Sequence, residues 1–590
     1  MRKRLLQIVF ITAVLLLFSS CGPKSQTTEA AASNDSATTA SANQPAETAA
    51  QEKWPVYLKA SELELQPDRF VPLADIGTFN RQIITQELLQ KPSKLPEATV
   101  SNIPYWTGFV CENMGSFNFI DPRWAELTSG GAHFYEDNVK VVADEGFNCL
   151  RVVYSLSYLS SPDDPMLINE AKLECLDQLI AWGIKYDVHI MLSIMGLPGK
   201  ATGLSEAQRS IYGNDALYQE NVMFSQELFT NDAMAQLYRQ YMEMLVTRYQ
   251  EIPSRNFSIE LLAEPSVPDA SVARYEEVLL PIVQSLHSID PNRILIANDV
   301  SKMIPEQLAA AGCALSLHTH IYAVNGEQIK DALGIEYDTH WPMEYFPSFV
   351  GSPDRKPMTL VSENGFDADA IEIYFGYGDM RIQADGKTIL ETGMHDIWAN
   401  NDPKSGWETA QIPQGTKEIT IGSLNHASAF YAVRLMQGGK AMVTLVSHEM
   451  FQAESETDPM PTIRINPDGT TENIDNPKHV LDAAYLQARF LQSWIDCAKK
   501  YSVGFLLTEV GTDTRDLTQE QYAAYEGTWL QLLKDNHIPW MYNCLHGVFA
   551  PQGSIEGDGQ YLCGYQDVEQ VPGTPFEKNR GIFDLLKLYK

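Results

Sequence analysis

The sequence predicts an α/β fold, a (β/α)8 TIM barrel interrupted by an inserted antiparallel β-sandwich. Short apolar runs end in polar or Gly-rich turns, and amphipathic helical patterns separate most of them. Apolar strands alternating with helices indicate a parallel sheet covered by helices, and eight such strands match a closed barrel. A doubly wound open sheet is the alternative. It is disfavoured because no GxGxxG motif follows the first strand.

The predicted elements alternate along most of the chain. The apolar runs are 107–115, 147–155, 188–196, 257–265, 293–299, 314–323, 503–511 and 538–547. The helical patterns are 134–145, 170–186, 231–250, 272–288, 302–311, 481–501 and 518–535. We therefore assign 101–350 and 451–590 to the barrel. Residues 53–100 form an N-terminal extension to which the sequence gives no role.

The stretch 351–450 breaks this alternation, because its helical period disappears. Short alternating strands separated by Gly, Asn, Asp and Pro turns are typical of an antiparallel sandwich. The insert falls between strands six and seven, where a βα-loop borders the active-site face of a barrel. We expect it near that face. It either carries a carbohydrate-binding surface or only builds the rim.

The N-terminus predicts export and a lipid anchor. Residues 1–21 combine a basic start, an apolar run too short to span a bilayer and small residues before Cys21, which resembles a bacterial lipobox. An ordinary secretory signal is the alternative. Residues 22–52 have no apolar pattern and predict a flexible tether. We expect an extracytoplasmic protein of the bacterial cell envelope that contacts the membrane through this anchor only.

Composition excludes several functions. The 590 residues carry a net charge of −33, from 76 acidic and 43 basic side chains, so no basic stripe is present for nucleic acid. The remaining seven cysteines form no CxxC pair, and the chain has no P-loop or GxSxG motif. We expect neither a metal nor a cofactor. An acidic chain with 10% aromatic residues fits a neutral ligand such as a sugar.

Two glutamates at predicted strand ends are the strongest catalytic candidates. Glu264 ends strand four in IELLAEP, and Glu509 ends strand seven in FLLTEVG. The carboxyl ends of barrel strands share one mouth, so the two carboxylates are expected to face each other. One can then protonate a glycosidic oxygen while the other attacks the anomeric carbon. A single glutamate at a strand end would favour a structural salt bridge instead, and it is the pair at strands four and seven that favours catalysis.

With these residues in this order, the chain resembles glycoside hydrolase family 5, the cellulase-like barrels of clan A. The resemblance implies that Glu264 is the acid/base and Glu509 the nucleophile. Arg151, in GFNCLRVV, matches the strand-two arginine that positions the nucleophile, and His320 and Tyr322 match the H-x-Y pair of strand six. It implies a retaining endo-hydrolase of β-linked glycans, of the β-1,4-glucan or mannan type, that needs no cofactor.

Three positions depart from the family pattern. Ala263 stands where the family has an asparagine that binds the sugar 2-hydroxyl, and Met195 stands in the strand-three D-x-H motif. Asn543 occupies the place of the strand-eight tryptophan, with Trp540 three residues earlier. These departures leave the sugar open. They also leave two other functions open, a surface glycan-binding protein with a catalytically impaired barrel and a transglycosylase.

Further substrate-binding candidates come from positions around the predicted strands. His546 and Asn113 follow strands eight and one, and they are expected to bind sugar hydroxyls or to make structural hydrogen bonds. Trp106 is expected to stack on a pyranose ring or to pack in the core, and Trp540, the tryptophan nearest the strand-eight position, is a further substrate-binding candidate.

Overall fold

The fold is taken from a computed structural model that describes thirteen stretches of the chain. They are 68–111, 136–161, 163–199, 225–319, 343–345, 349–351, 356–396, 407–425, 428–446, 462–474, 479–511, 519–546 and 584–590. The predicted signal segment with Cys21 and the tether 22–52 lie outside these residues, as do Asn113, His320 and Tyr322. Among the described helices, none is both long and apolar enough to cross a bilayer.

Eight parallel strands close into a barrel, which confirms the predicted fold. In chain order they are Thr107–Cys111, Cys149–Ser155, His189–Gly196, Phe257–Glu260, Leu295–Asn298, Ala314–Thr319, Phe505–Val510 and Trp540–His546. Each strand pairs with the next, and strand eight pairs with strand one. The inserted sheets lie between strands six and seven, as the sequence predicts.

Burial on both faces explains why the barrel strands are nearly continuous apolar runs. Strands one and two are buried at every residue, and their side chains belong to one large core. Backbones also approach closely. A Cβ on Gly108 would lie 1.8 Å from the carbonyl oxygen of Cys149, so only glycine fits where strands one and two meet.

Helices cover the outside of the barrel and coincide with most of the predicted patterns. The α-helices are Gln86–Leu89, Glu136–Asp144, Glu170–Tyr186, Glu227–Thr230, Asp232–Tyr249, Val272–Ile289, Glu306–Ala310, Ala483–Leu486, Gln492–Tyr501 and Gln519–Asp535. A π-helical turn, Gln487–Leu491, joins two of them, and short 3-10 turns occupy Leu73–Asp75, Leu156–Tyr158 and Pro268–Ala270. Two long helices start at capping side chains. Asn231 accepts from the backbone N–H groups of Ala233 and Met234, and Ser271 accepts from Arg274 N.

The insert consists mainly of two six-stranded sheets around a separate apolar core. One sheet contains Phe349–Gly351, Ala370–Gly378, His395–Asp396, Trp407–Gln411, Ser428–Gln437 and Lys440–Val446. The other contains Met358–Val361, Met380–Ala384, Lys387–Glu391, Glu418–Ser423, Thr462–Ile465 and Thr471–Asn473, so the strands of the insert extend past residue 450. Met343–Tyr345 pairs with His479–Leu481, which brings the two ends of the insert together.

The described part of the N-terminal extension is attached to the barrel helices. Phe70–Pro72 pairs with Leu167–Asn169. Arg248, on a barrel helix, donates to the carbonyl oxygens of Gly77 and Thr78, and its guanidinium is held by the buried carboxylate of Asp177. The extension therefore packs as part of the barrel domain.

Candidate active site

Charged side chains gather at the carboxyl ends of the barrel strands. Glu509 is the fifth residue of strand seven and pairs in register with His318, the fifth residue of strand six. Arg151 comes from the middle of strand two and is fully buried. The guanidinium of Arg151 forms an ion pair with Glu509 through Nη1, and its Nη2 lies 3.2 Å from His318 Nε2. The barrel thus brings Arg151 and Glu509 together, as the sequence predicts.

Glu264 reaches the same rim from beyond its strand. Strand four ends at Glu260, so the prediction that Glu264 ends this strand is wrong by four residues. The segment between the end of strand four and Glu264 is held against neighbouring strands by hydrogen bonds. Ala263 N donates to Ile194 O at 2.7 Å, and Glu264 N donates to Asn298 Oδ1 at 3.2 Å. Glu264 has a φ of 45°, a strained left-handed conformation of the kind found at functional sites.

The two carboxylates meet at the same ring nitrogen of His318. His318 Nδ1 lies 3.3 Å from Glu264 Oε1 and 3.6 Å from Glu509 Oε1. One oxygen of each glutamate and one nitrogen of His318 lie within 4.8 Å of one another. The surroundings differ, because the Glu509 side chain is 4% exposed and contacts Arg151, whereas that of Glu264 is 37% exposed.

A third carboxylate, Glu260, lies beneath this pair and was missed by the sequence analysis. Burial opposes its ionisation, but the charges of Arg151 and His318 and hydrogen bonds, including that from Ser193, hold the pKa of Glu260 well below its usual range. Burial also opposes protonation of His318. Glu509, Glu260 and Glu264 together outweigh burial and the opposing charge of Arg151, and they raise the pKa of His318 to about 10. His318 Nε2 lies 3.8 Å from Glu260 Oε1, close enough for an ion pair but too far for a hydrogen bond.

Glu264, His318 and Glu509 could also be considered as ligands for a divalent cation, since their ligand atoms are close together. The guanidinium of Arg151 already contacts Glu509, however, and would repel a cation placed there. Within the described residues, this is the one cluster of potential ligands with suitable distances. The donor set therefore fits proton transfer and nucleophilic attack better than metal binding.

Two tryptophans predicted to bind substrate do not reach the rim. Trp106 precedes strand one and Trp540 opens strand eight, so both lie at the opposite end of the barrel, where they are fully buried. Trp106 stacks on His189 with ring centroids 3.7 Å apart, and Trp540 Nε1 donates to Tyr105 OH at 3.1 Å. Their assignment to substrate binding is wrong, because residues at the amino ends of barrel strands face away from the mouth.

The other predicted positions have mixed outcomes. The backbone of Asn543 and His546 lies in the second half of strand eight, toward the rim that carries Glu509. Ala263 is buried and Met195 is half-buried, and neither supplies a polar side chain. The histidine that contacts both glutamates is His318. The sequence analysis chose His320, two residues further along, which lies outside the described residues.

Comparisons with known proteins were made for the whole chain. No family model and no curated protein matches the sequence. Among solved structures, the chain is similar to a protein described as a glycoside hydrolase, with 12% identity, a TM-score of 0.42 and coverage of 82% of this chain and 99% of the other. It is also similar to endoglucanase Cel5A from Thermotoga maritima, with 11% identity, a TM-score of 0.40 and coverage of 82% and 97%.

A third similar structure is the cellulose synthase subunit Z of Clostridioides difficile, with 12% identity, a TM-score of 0.38 and coverage of 82% and 99%. The structural neighbours thus include glycoside hydrolases and endoglucanases. Structural similarities with such low sequence identity and TM-scores assign neither a substrate nor a role for any residue to this chain. Its function must be argued from the site.

Proposed function

We propose that this protein is a retaining glycoside hydrolase that cleaves β-linked glycans. The observation that supports it most is the pair of carboxylates at the barrel mouth, with one oxygen of Glu264 within 4.8 Å of one oxygen of Glu509. Carboxyl groups ~5–5.5 Å apart are typical of double displacement, whereas inversion needs ~6.5–9.5 Å to place a water molecule between them. The proximity of these two oxygens therefore favours the retaining arrangement.

The different surroundings of the two carboxylates suggest their roles. Contact with the guanidinium of Arg151 favours the anionic form of Glu509, which suits a nucleophile. Glu509 attacks the anomeric carbon and the glycosidic C–O bond breaks, while Glu264 transfers its proton to the leaving oxygen. Glu264 then takes a proton from water, and the hydroxide formed displaces Glu509 from the sugar. The partly exposed Glu264 suits this second role because water must reach it.

The proposed substrate class rests on the resemblance to glycoside hydrolase family 5, because the geometry of the site does not distinguish one glycan from another. We propose an endo-acting enzyme for β-1,4-glucan or mannan, held by a lipid at Cys21 on the extracytoplasmic side of the cell envelope. Ala263 and Met195 supply no polar group to a sugar. This favours a second candidate, a surface glycan-binding protein whose barrel turns over poorly.

The test combines activity with assignment of the two roles. Reducing-end release is measured on soluble β-glucans, mannans, xylans and xyloglucan with the mature protein, Glu264→Gln and Glu509→Gln. We expect release by the wild type and a loss of about 10⁴-fold or more in each variant, since the two residues act as a unit. Glu276→Gln is the matched control. Glu276 is a buried glutamate that accepts from Gln307 on the outer helices, away from the mouth.

Azide rescue then separates the two glutamates. With an activated aryl β-glycoside, azide should accelerate Glu264→Ala and give the β-glycosyl azide, because the glycosyl-enzyme still forms. Glu509→Ala should instead give the α-glycosyl azide, because azide replaces the nucleophile in a single displacement. Binding in affinity gels without release by the wild type would support the glycan-binding protein. Release unaffected by either substitution would show that the wrong carboxylates were chosen.

A further inference from the structure

Glu260 is a fully buried carboxylate directly beneath the proposed catalytic pair. It is the last residue of strand four, and five side chains, one from each of strands two, three, five, six and seven, donate to it. Oε2 accepts from Arg151 Nε at 2.7 Å and Ser193 Oγ at 2.6 Å; Oε1 accepts from Ser316 Oγ at 2.8 Å, Thr508 Oγ1 at 2.9 Å and Asn298 Nδ2 at 3.1 Å. Because the five donors lie on different strands, they hold the Glu260 carboxylate in a single position.

Arg151 is the link between Glu260 and the catalytic pair. Its Nε is bound to Glu260, its Nη1 to Glu509, and its Nη2 lies against His318. Both ion-paired partners and the guanidinium itself are almost completely buried. The orientation of the Arg151 fork therefore depends on Glu260, and the position of Glu509 depends on that fork.

We infer that Glu260 is a positioning residue, which fixes the Arg151 guanidinium and shares its charge so that Glu509 is presented to the sugar in one orientation. This inference rests on the proposed function of Glu509. It adds a third carboxylate that touches neither the substrate nor the leaving group. Its contribution passes through Arg151 to Glu509 and, through His318, toward Glu264.

The charges that surround His318 make this role measurable. Arg151, Glu260, Glu264 and Glu509 face its ring. Around its backbone, Lys302 Nζ donates to the His318 carbonyl oxygen, and Asp299 Oδ1 accepts from its N–H at 3.2 Å. Removing the negative charge of Glu260 lowers the affinity of the His318 ring for its proton, whether or not a sugar is bound.

The variant is Glu260→Gln, which keeps the shape of the side chain and removes its charge. The hydroxyls of Ser316 and Thr508 can rotate to accept from the new amide, so most of the hydrogen bonds can be kept. We expect kcat to fall by about 10²-fold with KM little changed, as for a misplaced reacting group. We also expect the acidic limb of the pH profile to move to lower pH, because Arg151 then acts on Glu509 alone.

Asp177→Asn is the matched control. Asp177 is also fully buried, and it binds Arg248 through Nε at 3.0 Å and Nη2 at 2.6 Å, together with Tyr249 OH at 2.8 Å. This second buried arginine–carboxylate pair lies among the outer helices. The Asp177→Asn variant therefore measures how much activity and stability are lost when any buried, arginine-paired carboxylate is neutralised. We expect it to keep the wild-type pH profile.

A readout without activity separates the failure of this inference from the failure of the proposed function. The histidine ring signals of the whole protein are titrated by NMR, with His318 identified by its loss in His318→Asn. We expect the His318 midpoint, near 10 in the wild type, to fall by about one pH unit or more in Glu260→Gln and to stay in Asp177→Asn.

One outcome is that the wild type cleaves no glycan while the His318 midpoint falls in Glu260→Gln and not in Asp177→Asn. That result would reject the proposed hydrolase function and still support the coupling of Glu260 to the site through Arg151. A midpoint and a pH profile that stay unchanged in Glu260→Gln would overturn the inference. Thr508→Val gives a second check without a change of charge. It removes one donor to Glu260 while the charge of Glu260 stays, so we expect a smaller fall in kcat than in Glu260→Gln and no fall of the His318 midpoint.

Discussion

The two ends of the barrel each bury a histidine, and the two rings behave in opposite ways. His318, at the mouth, is surrounded by three carboxylates that raise its pKa to about 10 against the effect of burial. His189, at the closed end, has its pKa lowered to about 3 by burial, with a small contribution from the charge of Arg293. Burial is complete for both rings, so the neighbouring side chains decide the sign.

Burial keeps His189 neutral, and its hydrogen bonds fit a neutral ring although the bond to Arg255 partly offsets the effect of burial on the pKa. Its Nδ1 donates to the carbonyl oxygen of Arg255 at 2.9 Å, so its Nε2 is free to accept from Ser258 Oγ at 2.7 Å. The ring of Trp106 covers it. At this end the histidine is neutral and tightly packed and the nearby Arg293 is paired with Asp290, whereas the mouth places three carboxylates around one histidine, an arrangement that costs folding free energy.

The largest difference between the ends should appear when the buried arginine of each is removed. Arg151→Met leaves Glu260 and Glu509 buried without their partner, which should cost about 3–5 kcal/mol of unfolding free energy. If Glu509 is the nucleophile, as proposed, kcat/KM should also fall by about 10²-fold or more, because Glu509 loses its electrostatic support. Urea unfolding and initial rates on the best glycan measure the two effects.

Arg293→Met is the comparison at the closed end. Arg293 donates to the carbonyl oxygens of Tyr249, Ile252 and Phe257, so its loss should also destabilise the fold. We expect the pH profile of the remaining activity to stay that of the wild type. Equal losses of kcat/KM in the two variants, after correction for the folded fraction, would mean that Arg151 acts only through stability.

A smaller difference should appear in how stability depends on pH. The folded-state pKa of His318 lies above its unfolded value, so its contribution is fully present below pH ~6.5 and is lost as the pH rises through about 10. In His318→Gln this loss should disappear, flattening the alkaline limb of the unfolding free energy by a few kcal/mol. Chemical denaturation between pH 6 and pH 10.5 measures it.

His189→Gln should change the opposite limb. The folded-state pKa of His189 lies below its unfolded value, so its contribution is present above pH ~6.5 and is lost as the pH falls toward about 3. The variant should lose stability less steeply between pH 6.5 and pH 4 than the wild type does. If both histidine variants flattened the same limb, the opposite electrostatics of the two ends would be refuted.

The sequence predicted the barrel because each strand run is uniformly apolar and each helix pattern is periodic. It also predicted Arg151 and Glu509, since both belong to strand segments with recognisable neighbours. Glu260 was missed although it carried a signal. In FSIE, Phe257 and Ile259 alternate with Ser258 and Glu260, and a period of two places the polar pair on one side of the strand.

The errors have equally specific causes. His318 was missed because no local pattern tells where strand six ends, while His320, the histidine chosen from the sequence, lies outside the described residues and stays a prediction. Trp106 could have been excluded from the mouth, because it precedes its strand and must lie at the amino end. Glu264 needed the bend after strand four, with its positive φ, which no local pattern in IELLAEP predicts.

The smallest effect on activity should come from Trp106→Phe. The Trp106 ring lies parallel to His189, with an interplanar angle of 16°, and it is fully buried at the closed end. We expect an unchanged kcat and KM and a loss of about 1–3 kcal/mol of unfolding free energy, because packing is lost while the mouth is not touched.

Trp540→Phe should behave alike, since it removes a hydrogen bond to Tyr105 worth about 1 kcal/mol. A raised KM for glycan in either variant would contradict this placement and restore substrate binding for that tryptophan. An unchanged KM, together with a smaller loss of unfolding free energy at low pH in Trp106→Phe, would instead support the difference between the two ends of the barrel. Water admitted beside His189 would ease its protonation, so the neutrality of that ring would be shown to depend on the packing that closes the barrel.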